Sequence, residues 1–537
     1  MNNQHAYVRY DSKGKIVSGT LIIREEPPKV GVWREVPIDL CCSPGPTPPS
    51  SPQTVAFTFD DIANVPVADV NSLSDWNTFL DFPNYGIPIT NVSVVDNTVT
   101  LTGQSNAILK DSLFRRNTHI IDVTDTGMFR YISDFAFSNS TLVTGTFNDV
   151  VSAGFYAFSD YDGSGSSLTE ITGAKFTTAG NYCFNGCTSL TTTGSVTIAG
   201  DYCFQGCTLL TSTGSVTTAG DYCFQGCTLL TTIENITTAG DSCFQNCTAL
   251  TSTGSVTTAG DGCFAGCNLL TSIENITIAG NNCFYGCTSL ISTGSVTTAG
   301  NNCFNGCTSL ISTGSVTTAG DYCFNGCTLL TSTGSVTTAG YYCFENCTLL
   351  TSTGSVITAG DYCFSNCTSL TTIENVETAG YGCFENCTLL TSAGSVETAG
   401  DGCFAGCTSL TSTGSVTTAG FGCFQNCTLL TSADNITIAG DNCFQNCTSL
   451  TSTGSVTTAG DSCFAGCTSL INIDLSNYIA PTIGNTTGED NVFYGIAGNA
   501  VINLTVPSYL MTNNVGNPDG DIQYLIDNNT LVNITQV

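Results

Sequence analysis

From residue 176 to residue 470 the apolar positions recur every twenty residues. Taking residues 211–230 (TSTGSVTTAGDYCFQGCTLL) as the unit, Ala219, Gly220, Cys223, Phe224, Cys227 and Leu230 recur without change, and Val216 is Val or Ile from residue 196 on. Cys-Phe-x-x-Cys starts at Cys183 and returns every twenty residues to Cys463, in fifteen copies. A fixed period of this length marks a solenoid. Each unit is one coil, and each constant residue stacks on its own copy roughly 4.8 Å away, as in a sheet. Cys223, Phe224, Cys227 and Leu230 are therefore expected to form the core ladder.

The polar positions complete the unit. Position 221 is Asp in nine copies and Asn in three, which predicts an N-cap opening a short helical turn. Position 226 is Gly in nine copies and Asn in six, which predicts a left-handed stop. A coil then reads as a short strand, an Asp cap, one turn carrying Cys-Phe, a left-handed stop, Cys and Leu. The array begins before its cysteines: Ser133–Leu142 and Ser152–Asp160 fit the unit with Ala136 and Ala157 at the first cysteine position. Residues 161–175 read as an insertion, and atypical terminal coils are what a solenoid needs to close its core.

The predicted fold is mainly β: a solenoid of 20-residue, leucine-rich-repeat-like coils with one short helical turn each, small β modules before it and an α+β cap after it. Residues 1–42 form an N-terminal module with a hairpin near Lys13-Gly14, residues 43–52 (SPGPTPPSSP) a stiff proline tether, and residues 53–130 a small β-rich module. In the last of these, Val92–Gly103 predicts a hairpin turning at Asp96-Asn97, and Ser74–Phe82 a short capped helix. The solenoid occupies 131–470, its first coils (131–175) atypical. Residues 471–537 form the cap, with strands at Val501–Pro507 and Leu531–Val537 and a helix at Asp519–Asn529. Asp519 and Asp521 are read as cap residues in preference to calcium ligands.

Charge narrows the function. The 537-residue chain has 42 acidic and 11 basic residues, a formal net charge of −31. Six of the basic residues lie in the first 34 positions, and after Lys175 there is no Lys, Arg or His. Such an array repels phosphate and anionic lipid, which excludes nucleic-acid and membrane-surface binding there. No apolar run is long enough for a transmembrane helix. The N-terminus lacks a signal-peptide layout, so folding in a cytosol and release by lysis or an unusual route are expected.

The cysteines allow three readings: buried thiols acting as small hydrophobes, disulfides, or a metal or redox ladder. Ala136 and Ala157 favour a need for small volume. The joint loss of both cysteines there, with Ser140 and Tyr161 at the second position, is also what a bonded pair would show. Same-position stacking sets cysteine Cβ atoms too far apart for unstrained bonds between coils. With no cation nearby to lower a thiol pKa, reactivity is not expected. Nor does the array gather the different residue types an active site needs, and His5 and His119 lie in no motif. The chain reads as no enzyme, with no cofactor and no metal.

A candidate binding surface lies at the turn. Tyr182, Tyr202 and Tyr222 follow one another at the position before the first cysteine, as do Tyr322, Tyr342 and Tyr362, with Tyr341, Tyr381 and Phe421 one residue earlier. Aromatic rows on a repeat edge can stack on sugars or anchor a protein. The Thr-rich segment (211–213, 251–253, 331–333) reads as a solvated β surface; as an ice-binding row it is interrupted by Ile233, Ile273, Ile373, Ala393 and Ala433. In the first module Arg24, Trp33 and Arg34 are candidate anchor residues.

The unit resembles the BspA-type leucine-rich repeat, whose IG-x-x-AF-x-x-C-x-x-L run is matched by AGDYCFQGCTLL (219–230), with Cys for the Ala that the early coils keep. It is about three residues shorter and lacks the Ile-Pro step. The resemblance implies a solenoid used for adhesion on surfaces. Three flanking stretches, GKIVSGTLIIREEPPKVGVW, FTFDDIANVPVADVNSLSDWNTF and NPDGDIQYLIDNNT, resemble leucine-rich-repeat proteins of phages infecting Bacteroidetes. That implies a virion appendage made in the host cytoplasm, docked on other virion proteins by its N-terminal module, with oligomerisation expected and the rod facing a host-surface protein or glycan. A bacterial cell-surface adhesin is the alternative, and an ice-binding solenoid a remote one.

Overall fold

The computed structural model describes residues 52–81, 89–163, 165–479, 491–496, 501–511, 519–529 and 531–537, with the backbone of three N-terminal strands. Those strands, β1 (His5–Tyr10), β2 (Ile22–Arg24) and β3 (Val32–Val36), form an antiparallel sheet in the order β2-β1-β3. β1 and β2 pair antiparallel, and the turn expected around Lys13-Gly14 lies outside the described residues. The proline tether up to Ser51 and the side chains of Arg24, Trp33 and Arg34 lie outside the described residues.

A second sheet bridges the module and the first coils. It contains β4 (Gln53–Phe59), β5 (Asn91–Val95), β6 (Thr98–Gly103), β8 (Ile120–Asp125), β10 (Thr144–Phe147) and β12 (Glu170–Thr172), in the order β12-β10-β8-β4-β6-β5. β5 and β6 are the expected hairpin, with Asp96 at φ 52° in its turn. Helix α1 (Leu73–Leu80) starts one residue before the predicted one. Ser72 caps it, accepting from the Asp75 amide at 3.2 Å, so Ser74 is not the cap. Pairing is antiparallel within the module and becomes parallel at β8–β10 and β10–β12, where the chain begins to coil.

The solenoid sheet starts at β7 (Ala107–Leu109), β9 (Phe129–Ile132) and β11 (Ser152–Ala153). It continues through fifteen two-residue strands, from β13 (Thr178–Ala179) to β27 (Thr458–Ala459), one per coil. Pairing is parallel and in register, Thr218 opposite Thr238 and Ala219 opposite Ala239. Strands this short hold because the turn is laddered too. The amides of Tyr222, Phe224 and Gly226 donate to the carbonyls of Asp241, Cys243 and Gln245 at 2.8–2.9 Å, so coils are hydrogen-bonded on more than one side.

Seven residues of each coil face inward: in the 211–230 unit Thr213, Val216, Ala219, Cys223, Phe224, Cys227 and Leu230, all buried. The Phe rings stack face to face without interruption from Phe114 to Phe493, neighbours 5.2–5.9 Å apart. Both end rings belong to coils that Cys-Phe-x-x-Cys does not mark. At one end Ser112 and Arg116 hold the two left-handed positions; at the other Val492 and Ile496 stand where the cysteines would be. The row of Thr213, Ile233 and Ala393 lies in this core and not on a solvated edge, and Thr313 Oγ1 donates to the Thr333 carbonyl at 2.6 Å. This corrects the surface reading of that row, and with it the ice-binding use of its third position.

Asp at position 221 is not an N-cap. The amides that Asp201 would cap, those of Cys203 and Phe204, donate instead to the carbonyls of Gly200 and Cys223. Asp201 Oδ1 accepts the Asp221 amide one coil on at 3.0 Å, and Asp221 and Asp241 repeat the step at 2.9 and 3.0 Å. Gly240 shows why its neighbour is always Gly: a Cβ there would lie 2.4 Å from Asp221 Oδ1 and 2.7 Å from the Gly220 carbonyl carbon. Gly240→Ala is expected to push two coils apart and cost about 1–3 kcal/mol, an overpacking penalty. Calorimetry of the full chain should show a lowered melting temperature.

The C-terminal cap contains β28 (Asn472–Asp474), β29 (Val501–Val506), β30 (Leu531–Gln536), α2 (Ser508–Met511) and α3 (Gly520–Asn528). β28 and β30 pair in parallel on either side of β29. Asp519 caps α3, accepting from the Asp521 amide at 3.1 Å.

Candidate binding face

The turn of each coil, residues 221–226 in the reference unit, sends Cys223 and Phe224 inward and carries positions 221, 222 and 225 on its outer side, with two of its residues left-handed. The second, position 226, is the Gly/Asn stop, with φ 72° at Gly226 and 60° at Asn246. The first is position 222, where φ is positive in all fifteen copies, including Tyr182, Tyr202, Tyr222, Tyr322, Tyr342 and Tyr362. A left-handed backbone costs a non-Gly residue roughly 1–2 kcal/mol. Ring stacking returns about 0.5–1.5 kcal/mol per pair. An isolated Tyr there recovers none of that cost, whereas each Tyr in a run recovers part of it.

The runs are continuous stacks. Tyr156, Tyr182, Tyr202 and Tyr222 lie 4.5–4.6 Å apart, extended at the front by Phe135. Tyr322, Tyr342 and Tyr362 lie 4.7–4.9 Å apart. These six tyrosines are half-buried in one another, so each run offers a ring edge along its length and an open ring face only at its end. Tyr341, Tyr381 and Phe421 are exposed, at 38, 47 and 52%. Tyr341 and Tyr381 set their edges against the second stack, Tyr381 at 5.0 Å from Tyr362. The Tyr362 hydroxyl is pushed up to about 12, by burial first and by its hydrogen bond with Tyr381.

Beside the tyrosines runs an amide ladder. Asn185 donates to Gln205 Oε1 at 2.7 Å, Gln205 donates to Gln225, and Gln225 to Gln245. The direction is the same at each step, so an NH₂ group always points toward the C-terminal coil.

Behind the face the cysteines form a dry ladder. The thirty from Cys183 to Cys467 are free and buried, which sets aside disulfides in the array; Cys41 and Cys42 lie outside the described residues. The second cysteine does more than fill space. Cys227 Sγ donates to the Phe204 carbonyl of the preceding coil at 3.2 Å, and the same bond recurs from Cys187 to Cys467. Burial pushes the Cys187, Cys243, Cys287 and Cys407 thiols up to about 12, which suppresses the nucleophilic thiolate. Sequence spacing gave no sign of this thiol bond, because its partners lie 23 residues apart on different coils.

Residues 96–496 match the BspA type leucine rich repeat region in six overlapping copies, at 96–163, 160–271, 249–351, 307–411, 342–451 and 397–496. The chain belongs to the BspA-type leucine-rich repeat family. Among solved structures, this BspA-type chain is similar to a leucine rich cell surface protein from Faecalibacterium prausnitzii, at 20% identity over 66% of this chain and 90% of that one, with a TM-score of 0.26. It is similar also to a T. pallidum leucine rich repeat protein, at 19% identity over 35% and 83%, TM-score 0.24. A leucine-rich repeat protein from Eubacterium ventriosum gives 17% identity over 64% and 90%, TM-score 0.22. A comparison with curated proteins finds no match.

Proposed function

We propose that this BspA-type chain is a non-enzymatic adhesive rod, displayed on a surface and binding a host-surface protein or glycan through its turn face. The observation that carries this is the aromatic and amide ladder on that face. It is a rigid, repeated display of rings and hydrogen-bonding groups backed by a core whose thiols are held neutral. Fifteen coils at roughly 4.8 Å give a shaft of about 70 Å, enough to hold such a face clear of its mount. Near-identical coils also suit multivalent contact, in which weak sites add through effective concentration.

The carrier we favour is a virion, on the resemblance of the flanking stretches to phage proteins, with the N-terminal module as the dock. A bacterial cell surface is the other carrier. Gold-labelled antibody against the array, applied to a lysing culture, separates them. Label set off from discrete particles is the expected result. Label on cell envelopes with bare particles would replace the virion with the envelope and leave the adhesive rod in place.

A further inference from the structure

The first tyrosine stack stops at Tyr222, and the amide ladder stops one coil later, at Gln245. After Tyr222 the stacking position is taken by Ser242, Gly262, Asn282 and Asn302, so no ring returns there before Tyr322. After Gln245 the amide position is taken by Ala265. The result is a notch of about 340 Å³, walled by Tyr222 at one end and by Tyr285 and Asn282 at the other.

Each ladder ends on an unused group. Tyr222 stacks on Tyr202 at 4.6 Å on one side and has no ring after it. Gln245 accepts from Gln225 through Oε1, and at 265, where the ladder's next amide acceptor would stand, the residue is Ala. Asp241 lines the same space and spends Oδ1 on the Asp261 amide, leaving Oδ2 as an acceptor. An open aromatic face, an oriented amide donor and a carboxylate acceptor therefore converge on one cavity.

We infer that this notch binds a neutral sugar residue, a hexose or N-acetylhexosamine at the end of a glycan, stacked on Tyr222 with its hydroxyls shared between Gln245 and Asp241. Sugar rings combine an apolar face with donors and acceptors around the edge, which is the combination the notch offers. An acidic sugar is disfavoured, because residues 176–537 contain no cation and the notch contains carboxylates. A basic peptide would also suit the ring and the carboxylate, with a backbone carbonyl to accept from Gln245, so one is included in the test. The inference rests on the adhesive reading and narrows it to one site and one ligand class.

Ser242→Tyr tests it. Tyr already occupies this left-handed position in six of the fifteen copies, so the substitution extends the stack and fills the notch without asking the fold for anything new. Full-length wild type and Ser242→Tyr are compared on a printed array of neutral, sialylated and uronate-bearing oligosaccharides, with a deca-arginine peptide beside them. Whole-cell adhesion and thermal melting are measured in parallel. Wild type should bind neutral glycans, and Ser242→Tyr should lose that binding at least tenfold with its melting temperature unchanged or raised. Gln245→Ala should weaken it less. Equal glycan binding by wild type and Ser242→Tyr overturns the notch, as does binding confined to acidic glycans or to the peptide. If cells are still bound in those cases the adhesive reading stands; if wild type binds neither glycans nor cells, both fall.

Discussion

Raising the pH from 8 to 10 is expected to unfold the repeat array cooperatively. The unfolded chain's thiols ionise near pH 8.5. In the folded coils burial holds thiols such as Cys243 and Cys287 up to about 12, and Cys223 and Cys247 are raised as well. A group with a raised folded pKa contributes no instability while both states keep the proton, which is the case below about pH 8. Between the unfolded and folded values the unfolded state sheds protons that the folded state cannot, so stability falls as pH rises. The slope is about 1.4 kcal/mol per thiol per pH unit, hence roughly 3 kcal/mol per two-cysteine coil. A solenoid coil has few kilocalories to lose, because stability is a sum over coils and their interfaces. Circular dichroism across pH 7–11 under reducing conditions should give a steep transition starting above pH 8.5. A variant with Ala at the first cysteine of every coil, the residue that Ala136 and Ala157 already supply, should move the transition to higher pH. A flat profile to pH 11 would mean the thiols are not buried in solution.

The same coils show how far a sequence can be read. The period, six of the seven core positions and the left-handed stop at 226 are legible because each is a constraint on one position, and fifteen copies sample that position repeatedly. The solenoid class follows from them. Three features are not legible in this way. The left-handed backbone at position 222 is masked by Tyr, a residue with no preference for that conformation, whose ring stacks on a neighbouring coil's. The Asp row looks like a set of caps, because a cap and a ladder both ask for a short side chain with an acceptor; only the coil-to-coil geometry shows the amide it holds. The third Thr of TST belongs to the core and not the edge, since its hydroxyl is satisfied by a carbonyl one coil away. The notch was hidden for a related reason. It is defined by what Ser242, Gly262 and Ala265 lack, and a search for aromatic rows passes over the gap between them.

Replacing Phe304 by Ala should divide the array into two units. Phe304 is fully buried, with Phe284 and Phe324 stacked on its two faces at 5.3 Å each. Removing a buried Phe side chain costs about 3–5 kcal/mol in transfer and cavity terms. Here the loss also falls on two coil-to-coil interfaces at once, because the ring is shared by both. In a quasi-one-dimensional array cooperativity is carried by such interfaces, so weakening adjacent ones uncouples the coils on either side. Wild type should melt in one sharp transition. Phe304→Ala should melt in two, or in one markedly broadened, with native-state hydrogen exchange fastest in the coils next to residue 304. Phe304→Leu, which keeps most of the volume but not the stack, should lower the melting temperature less and preserve a single transition. A single sharp transition merely shifted down in Phe304→Ala would show that the backbone ladders, the turn carbonyls and the Cys Sγ–Phe carbonyl bonds among them, couple the coils without help from the rings.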